Sequence, residues 1–265
     1  MKSETALKAL IAISIILGSC NCTTTRSDET IPVTTESELA LETFEQGVEA
    51  HRMYYVGQAM DLWEIALNED PEFFRAAYQL SIYNLFFGNV DDFKKYSQKA
   101  LSTKMKLSKG EDLMKQALEK LAEDPEADVT SIGKKLVDAY PNDYAAYYQL
   151  GMYHNLIGDY QGVVETFKNA LNIVEDKTPV YNIIGYQYLQ LEQYDSARKA
   201  FDTAIELSPE LPNSYDSKGD YFMAVKDYVH AYESYMKAVE IDPMFELARN
   251  NARRAKMIMD SLEVN

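Results

Sequence analysis

Glycine and proline are sparse, eleven and eight in 265 residues, too few for an all-β chain with many tight turns. Histidine is scarcer still, three residues at His51, His154 and His230. They are spread so widely that no shared metal site is expected. The chain has no GxSxG elbow, no GxxxxGK[ST] phosphate loop, no HExxH and no CxxC, so nucleophilic, nucleotide and zinc chemistry have no visible carrier. No catalytic residue, metal or cofactor is expected. Basic runs longer than two residues are also missing, and 42 acidic residues against 26 basic ones give a net charge of −16. A polyanion would be repelled, which excludes nucleic acid as the expected partner. The acidity suits a solvated surface; its sharper reading is a basic partner. What remains is rich in helix formers and apolar residues, 46% apolar with 12% aromatic, and points to an all-α fold with a sizeable core.

There is one long apolar run, Ala-Leu-Ile-Ala-Ile-Ser-Ile-Ile-Leu over residues 9–17, preceded by Lys2 and Lys8. It is too short to cross a bilayer permanently and reads as the core of a signal peptide, residues 1–19. The following Leu17-Gly18-Ser19-Cys20 resembles the bacterial lipobox, which implies acylation of Cys20 and stable anchoring by several acyl chains. An ordinary secretory signal is the alternative. With Cys20 so used, Cys22 is left without an intramolecular partner. Residues 20–37, rich in Thr, Ser and acids, are expected to form a flexible tether. Thr35 and Glu38 have the spacing of a capping box, which would start the first helix.

A 34-residue period governs the C-terminal half. The unit 178–211 carries Tyr181, Gly185, Tyr188, Tyr194, Ala197, Phe201, Ala204 and Pro209. The unit 212–245 repeats these as Tyr215, Gly219, Phe222, Tyr228, Ala231, Tyr235, Ala238 and Pro243. This resembles the tetratricopeptide repeat family, in which Gly and Ala allow two helices to cross closely, an aromatic fills the crossing and Pro follows the second helix. Unit 144–177 fits with Tyr147, Leu150, Gly151, Gly158, Tyr160, Phe167 and Ala170. Unit 40–73 has Gly47, Ala59, Trp63, Ala66 and Pro71, whereas unit 74–107 departs most, with Phe93 in the small position and Ser97 in the aromatic one. Between them, 108–143 has two apolar-periodic stretches around Pro125 and reads as a degenerate hairpin. Residues 246–265 read as a capping helix and tail, with Leu247, Ala248, Ala252, Ala255, Met259 and Leu262 on one side and Arg249, Arg253, Arg254, Lys256 and Asp260 on the other. The resemblance implies a right-handed superhelical array, or solenoid, of about six antiparallel hairpins.

It also implies a groove lined by the first helix of each hairpin. The positions matching that lining are Arg75, Tyr78 and Ile82; Tyr148, Met152 and Asn155; Asn182, Tyr186, Leu189 and Gln190; Asp216, Asp220 and Met223. Such a wall would grip an extended or helical peptide. Asp216 and Asp220 stand where some family members use Lys and Arg to hold a carboxylate, so a basic or neutral segment is the expected ligand. The expected function is a lipid-anchored, protein-binding scaffold in the bacterial cell envelope, at the outer membrane on its periplasmic or surface side. The alternative is an accessory subunit of a secreted hydrolase or a carbohydrate-uptake system, in which Tyr148 and Tyr186 would stack on sugar.

Overall fold

The computed structural model describes residues 30–52 and 55–263; the signal sequence, Cys20, Cys22 and the tether as far as residue 29 lie outside them. The described residues form thirteen helices and no strand: α1 (Glu38–Arg52), α2 (Val56–Glu69), α3 (Phe74–Phe86), α4 (Val90–Ser102), α5 (Lys109–Glu123), α6 (Thr130–Ala139), α7 (Tyr144–Leu156), α8 (Tyr160–Ala170), α9 (Thr178–Gln190), α10 (Tyr194–Leu207), α11 (Pro212–Ala224), α12 (Tyr228–Ile241) and α13 (Glu246–Glu263). Consecutive helices pair into six hairpins that stack side by side as a solenoid, with α13 packed on the last. The 34-residue register is legible in the backbone. α7, α9 and α11 begin at Tyr144, Thr178 and Pro212, and the middle residue of each hairpin's three-residue turn is left-handed at Gly158, Glu192 and Lys226. Glycine takes that conformation freely; Glu192 and Lys226 hold it at a cost of about 1 kcal/mol each.

Each regular hairpin closes on one contact. A Cβ on Gly47, Gly151, Gly185 or Gly219 would lie 2.6, 2.5, 2.6 or 2.4 Å from Trp63, Phe167, Phe201 or Tyr235 respectively. The ring sits sixteen residues after the glycine in every case, so the missing side chain of the first helix is the space that the second helix's ring occupies. The 74–107 hairpin has serine at both places. Ser81 and Ser97 hydroxyls meet at 2.7 Å, and Ser97 donates on to the Phe93 carbonyl at 2.6 Å. A short polar bridge thus replaces the ring, and Phe93, in the small position, is buried in the volume left over.

The expected tether of residues 20–37 is corrected at its end, because residues 31–37 are docked. Ile31 is buried against Gly110 and Tyr140, and its amide donates to the Asp143 carboxylate at 2.7 Å. Glu111 is fully buried and gathers the arm: it accepts from the Thr34 amide (2.9 Å) and hydroxyl (2.5 Å), and from the Ser108 amide (3.0 Å) and hydroxyl (2.9 Å). The expected capping box at Thr35 and Glu38 is also corrected. The Thr35 hydroxyl donates to Asp70 at 2.5 Å, and Ser37 takes the Ala40 amide at 3.2 Å. Bonding the arm to Asp70, Glu111 and Asp143 moves the helix start by two residues, since a distant carboxylate claims Thr35.

The degenerate hairpin pairs α5 with the ten-residue α6. Side chains of α3 reach those of α7: the Tyr78 hydroxyl donates to Gln149 at 3.0 Å and meets the Tyr153 hydroxyl at 2.5 Å. One continuous apolar core therefore runs from Ile31 to Tyr153, with three smaller cores between the later hairpins.

Candidate functional site

Burial decides which groove positions are open. Arg75, Tyr78 and Ile82 are 4%, 0% and 1% exposed, so these three are corrected: they are interior residues and do not wall a free groove. Arg75 is the most constrained. Its Nε and Nη1 have no hydrogen-bond partner, its guanidinium lies 5.9 Å over the Phe44 ring, and burial lowers its pKa against the opposing charges of Glu111 and Asp143. Met152, Asn182 and Asp216 are buried as well. Tyr148 is half-buried, its hydroxyl 2.5 Å from Tyr83 and 3.2 Å from His51 Nε2, its ring edge-on to Phe167.

Several of the predicted groove residues serve as rungs between successive first helices. The Asn182 amide donates to Asn213 at 3.2 Å, Asn251 donates to Asp216 at 3.1 Å, and the Tyr186 hydroxyl donates to Asp220 at 2.7 Å. Tyr235 donates to the other Asp220 oxygen at 2.7 Å. Asp220 is thereby held as an acceptor of two phenols. Behind it, burial and the Asp220 charge push the Asp216 carboxyl up to about 6.

Two recesses hold most of the remaining predicted positions. The first, about 500 Å³, gathers Asn155, Tyr186 and Gln190 from the predicted set with Leu85, Phe86, Pro125, Glu126, Leu156, Tyr160 and Gln187. Phe86 is 43% exposed there, and Gln187 Oε1 is buried without a partner. The second, about 330 Å³, brings Asp220 and Met223 together with Tyr228, Tyr235, Asn251, Arg254 and Ile258. Leu189, half-buried, lines neither but packs in the small core of Phe201 and Tyr221. The additions come from outside the aligned positions. Leu85, Phe86 and Pro125 line the first recess and carried no repeat signal. Arg254, by contrast, is Asp220 advanced by 34, so extending the register into α13 would have found it. A third cleft of about 490 Å³, mostly apolar, lies at the other ends of α7 and α9, beside His51, Tyr144, Tyr148, Val174 and Ile183.

The histidines stay apart, each with its own partner. His51 contacts the Tyr83 hydroxyl, and burial lowers its pKa to about 4; His154 meets Asp159 at 2.7 Å; His230 meets Asp227 at 2.7 Å and stacks on Phe222. Among the described residues no group of three or more His, Cys, Asp or Glu is arranged to hold a metal ion, and no helix is long and apolar enough to cross a membrane.

Against known proteins, residues 179–211 and 212–243 match family models described as tetratricopeptide repeat. Those residues are two such repeats, within a helical scaffold suited to protein–protein contact. No curated protein matches the chain. Among solved structures it is similar to the Cut9–Hcn1 hetero-tetramer of the APC/C, at 18% identity and a TM-score of 0.44, covering 82% of this chain and 42% of that one. This chain thus spans less than half of that structure's length. MamA is 21% identical with a TM-score of 0.45, covering 59% of this chain and 87% of that one. A thermophilic TPR protein of Thermus thermophilus is 20% identical with a TM-score of 0.46, covering 82% of this chain and 99% of that one.

Proposed function

We propose that this chain is a membrane-tethered scaffold that holds an extended, basic or neutral segment of a partner protein in the cleft between α3, α7 and α9. The observation that carries the reading is the cleft's chemistry. Asn155, Gln187 and Gln190 offer amides suited to peptide N–H and C=O groups, beside the exposed Phe86 ring and the apolar Leu85, Leu156 and Pro125. Gln187 Oε1, buried without a partner, is an acceptor to be satisfied. Glu126 in this cleft and Asp220 in the next recess, the latter shared with Arg254, favour a basic segment.

Replacing Asn155, Gln190 and Phe86 together by Ala lowers crosslinked capture of the partner from native membranes by about tenfold, a loss of roughly 1.4 kcal/mol, with helicity and melting temperature held. Equal capture by this variant removes the cleft from the reading. Asn182 and Tyr186 are unsuitable for that test. One is a buried rung; the other packs edge-on to Phe201, so their loss would weaken the array itself.

The sugar-binding alternative needs rings free to stack. Tyr148 and Tyr186, the two rings it would use, are half-buried and packed against Phe167 and Phe201, which favours the peptide reading. Tethering rests on the sequence alone: the apolar run 9–17 and Leu17-Gly18-Ser19-Cys20 support a lipid on Cys20 and a place in the bacterial cell envelope. Cys20→Ala then moves the protein from the membrane fraction to the soluble one. Continued sedimentation through carbonate washing would assign the anchor to something else.

A further inference from the structure

The two ends of the array carry opposite charge. On α1 the side facing away from Ala40, Phe44 and Gly47 presents Glu38, Glu42, Glu45 and Glu49, all exposed. On α13 the side a quarter-turn from Ala248, Ala252 and Ala255 presents Arg249, Arg253 and Lys256, also exposed. The acidic stripe steps by four, three and four residues and the basic one by four and three, the acidic Asp260 standing at its next step. Side chains at those steps lie along one line of a helix, over about 16 Å for the acidic stripe and about 10 Å for the basic one.

The register explains why α13 ends the hairpins. Advancing by 34 places Arg249, Arg253 and Lys256 where Tyr215, Gly219 and Phe222 stand in α11. Those are the places at which a first helix receives its own second helix. Arg253 in the glycine place blocks the close crossing that Gly219 allows beneath Tyr235, where even a Cβ would lie at 2.4 Å. A further hairpin of this kind has no seat on α13, yet the stripe is bordered by an exposed apolar side chain, Met257 at 67%. The α1 stripe is flanked likewise by Leu39 at 56% and Val48 at 36%.

We propose that the basic outer face of α13 docks on the acidic outer face of α1 of a second copy, joining arrays end to end. The partner is a second copy because this chain itself supplies the complementary charges at matching spacing. An anionic lipid surface is the weaker occupant, because the net charge of −16 repels it. Local pairs do not block the contact. Arg52–Glu49 at 3.5 Å and Lys256–Asp260 at 3.2 Å are exposed pairs, each worth about 0–1 kcal/mol and open to exchange. The contact is heterologous, so one copy docked leaves a free end of each sign and assembly continues with concentration.

The test is sedimentation velocity of the full chain. Wild type is expected to gain mass with concentration at low salt and to revert to monomer near 0.5 M salt, where screening acts within roughly 4 Å. Two triple variants, Arg249→Glu/Arg253→Glu/Lys256→Glu and Glu38→Lys/Glu42→Lys/Glu45→Lys, should each associate at least tenfold more weakly. Mixed in equal amounts they should associate again, because acidic ends now meet basic ones; that recovery also shows that both fold. A wild type that stays monomeric at low salt, a mixture that stays monomeric, or an α13 variant that loses only binding to anionic vesicles would each overturn the proposal.

Discussion

Trp63→Ala is expected to destabilise the N-terminal hairpins by about 3–5 kcal/mol. Trp63 is buried beneath Gly47, with ring neighbours Phe44, His51 and Tyr83 at 6.4, 6.0 and 5.4 Å. Its removal therefore opens a cavity at the contact between α1, α2 and α3. Because this core is continuous from Ile31 to Tyr153, the loss should lower one cooperative denaturant transition spanning α1 to α7. Tyr235→Ala makes the counterpart at the other end. Its core is the small cluster with Ala231, Ala252 and Ala255, so the damage should stay in α11 to α13, as expected where each repeat contacts only its neighbours. Trp63→Phe separates ring volume from polarity. The Trp63 Nε1 is buried without a partner, and a phenyl ring removes that unmet donor, so the cost should fall well below that of alanine. Circular dichroism in urea reads all three; a Trp63→Ala midpoint equal to wild type would contradict this packing.

Acidification should loosen one half of the molecule and tighten the other. His51 titrates near 6.5 when unfolded but at about 4 in its buried place. Above pH 6.5 it is neutral in both states and its contribution is whole. As pH falls from 6.5 to 4 the unfolded chain binds the proton first, and roughly 3 kcal/mol of stability is lost from the α1–α3–α7 contact. Asp128 and Asp159, whose carboxyls are held below their usual range chiefly by hydrogen bonds from Thr130 and Gly162, add to the loss as they protonate. Asp216 acts with the opposite sign. Its folded carboxyl titrates at about 6 against 3.8 when unfolded, so the folded form takes the proton first, and roughly 3 kcal/mol returns between pH 6 and 4. Hydrogen exchange followed by mass spectrometry at pH 7 and 4.5, corrected for intrinsic rate, should show protection falling in α3 and rising in α11. Asp216→Asn should abolish the rise. The same direction of change in both helices would refute the assignment.

Much of this architecture was written locally. Gly185 and Phe201, or Gly219 and Tyr235, declare a crossing from sixteen residues apart, because a ring needs a gap and only glycine leaves one. Even Glu192 and Lys226, poor residues for a left-handed turn, follow the turn position of Gly158. The groove was less legible. Asn155, Tyr186, Gln190, Asp220 and Met223 do line recesses, yet Arg75, Tyr78 and Ile82, chosen by the same register, are interior.

The sequence by itself determined the hairpin period, the helix pairs and the charged face that closes the array at α13, since each depends on side chains within one or two repeats of each other. Only the tertiary structure decided that side chains of α3 meet those of α7, that residues 31–37 are bound to Asp70, Glu111 and Asp143, and which groove positions stay open. Those outcomes rest on pairs far apart in the chain: Tyr78 with Gln149, Thr34 with Glu111 and Ile31 with Asp143 are separated by 71, 77 and 112 residues. A repeat pattern relates neighbours one period apart, so it does not encode which distant side chains meet.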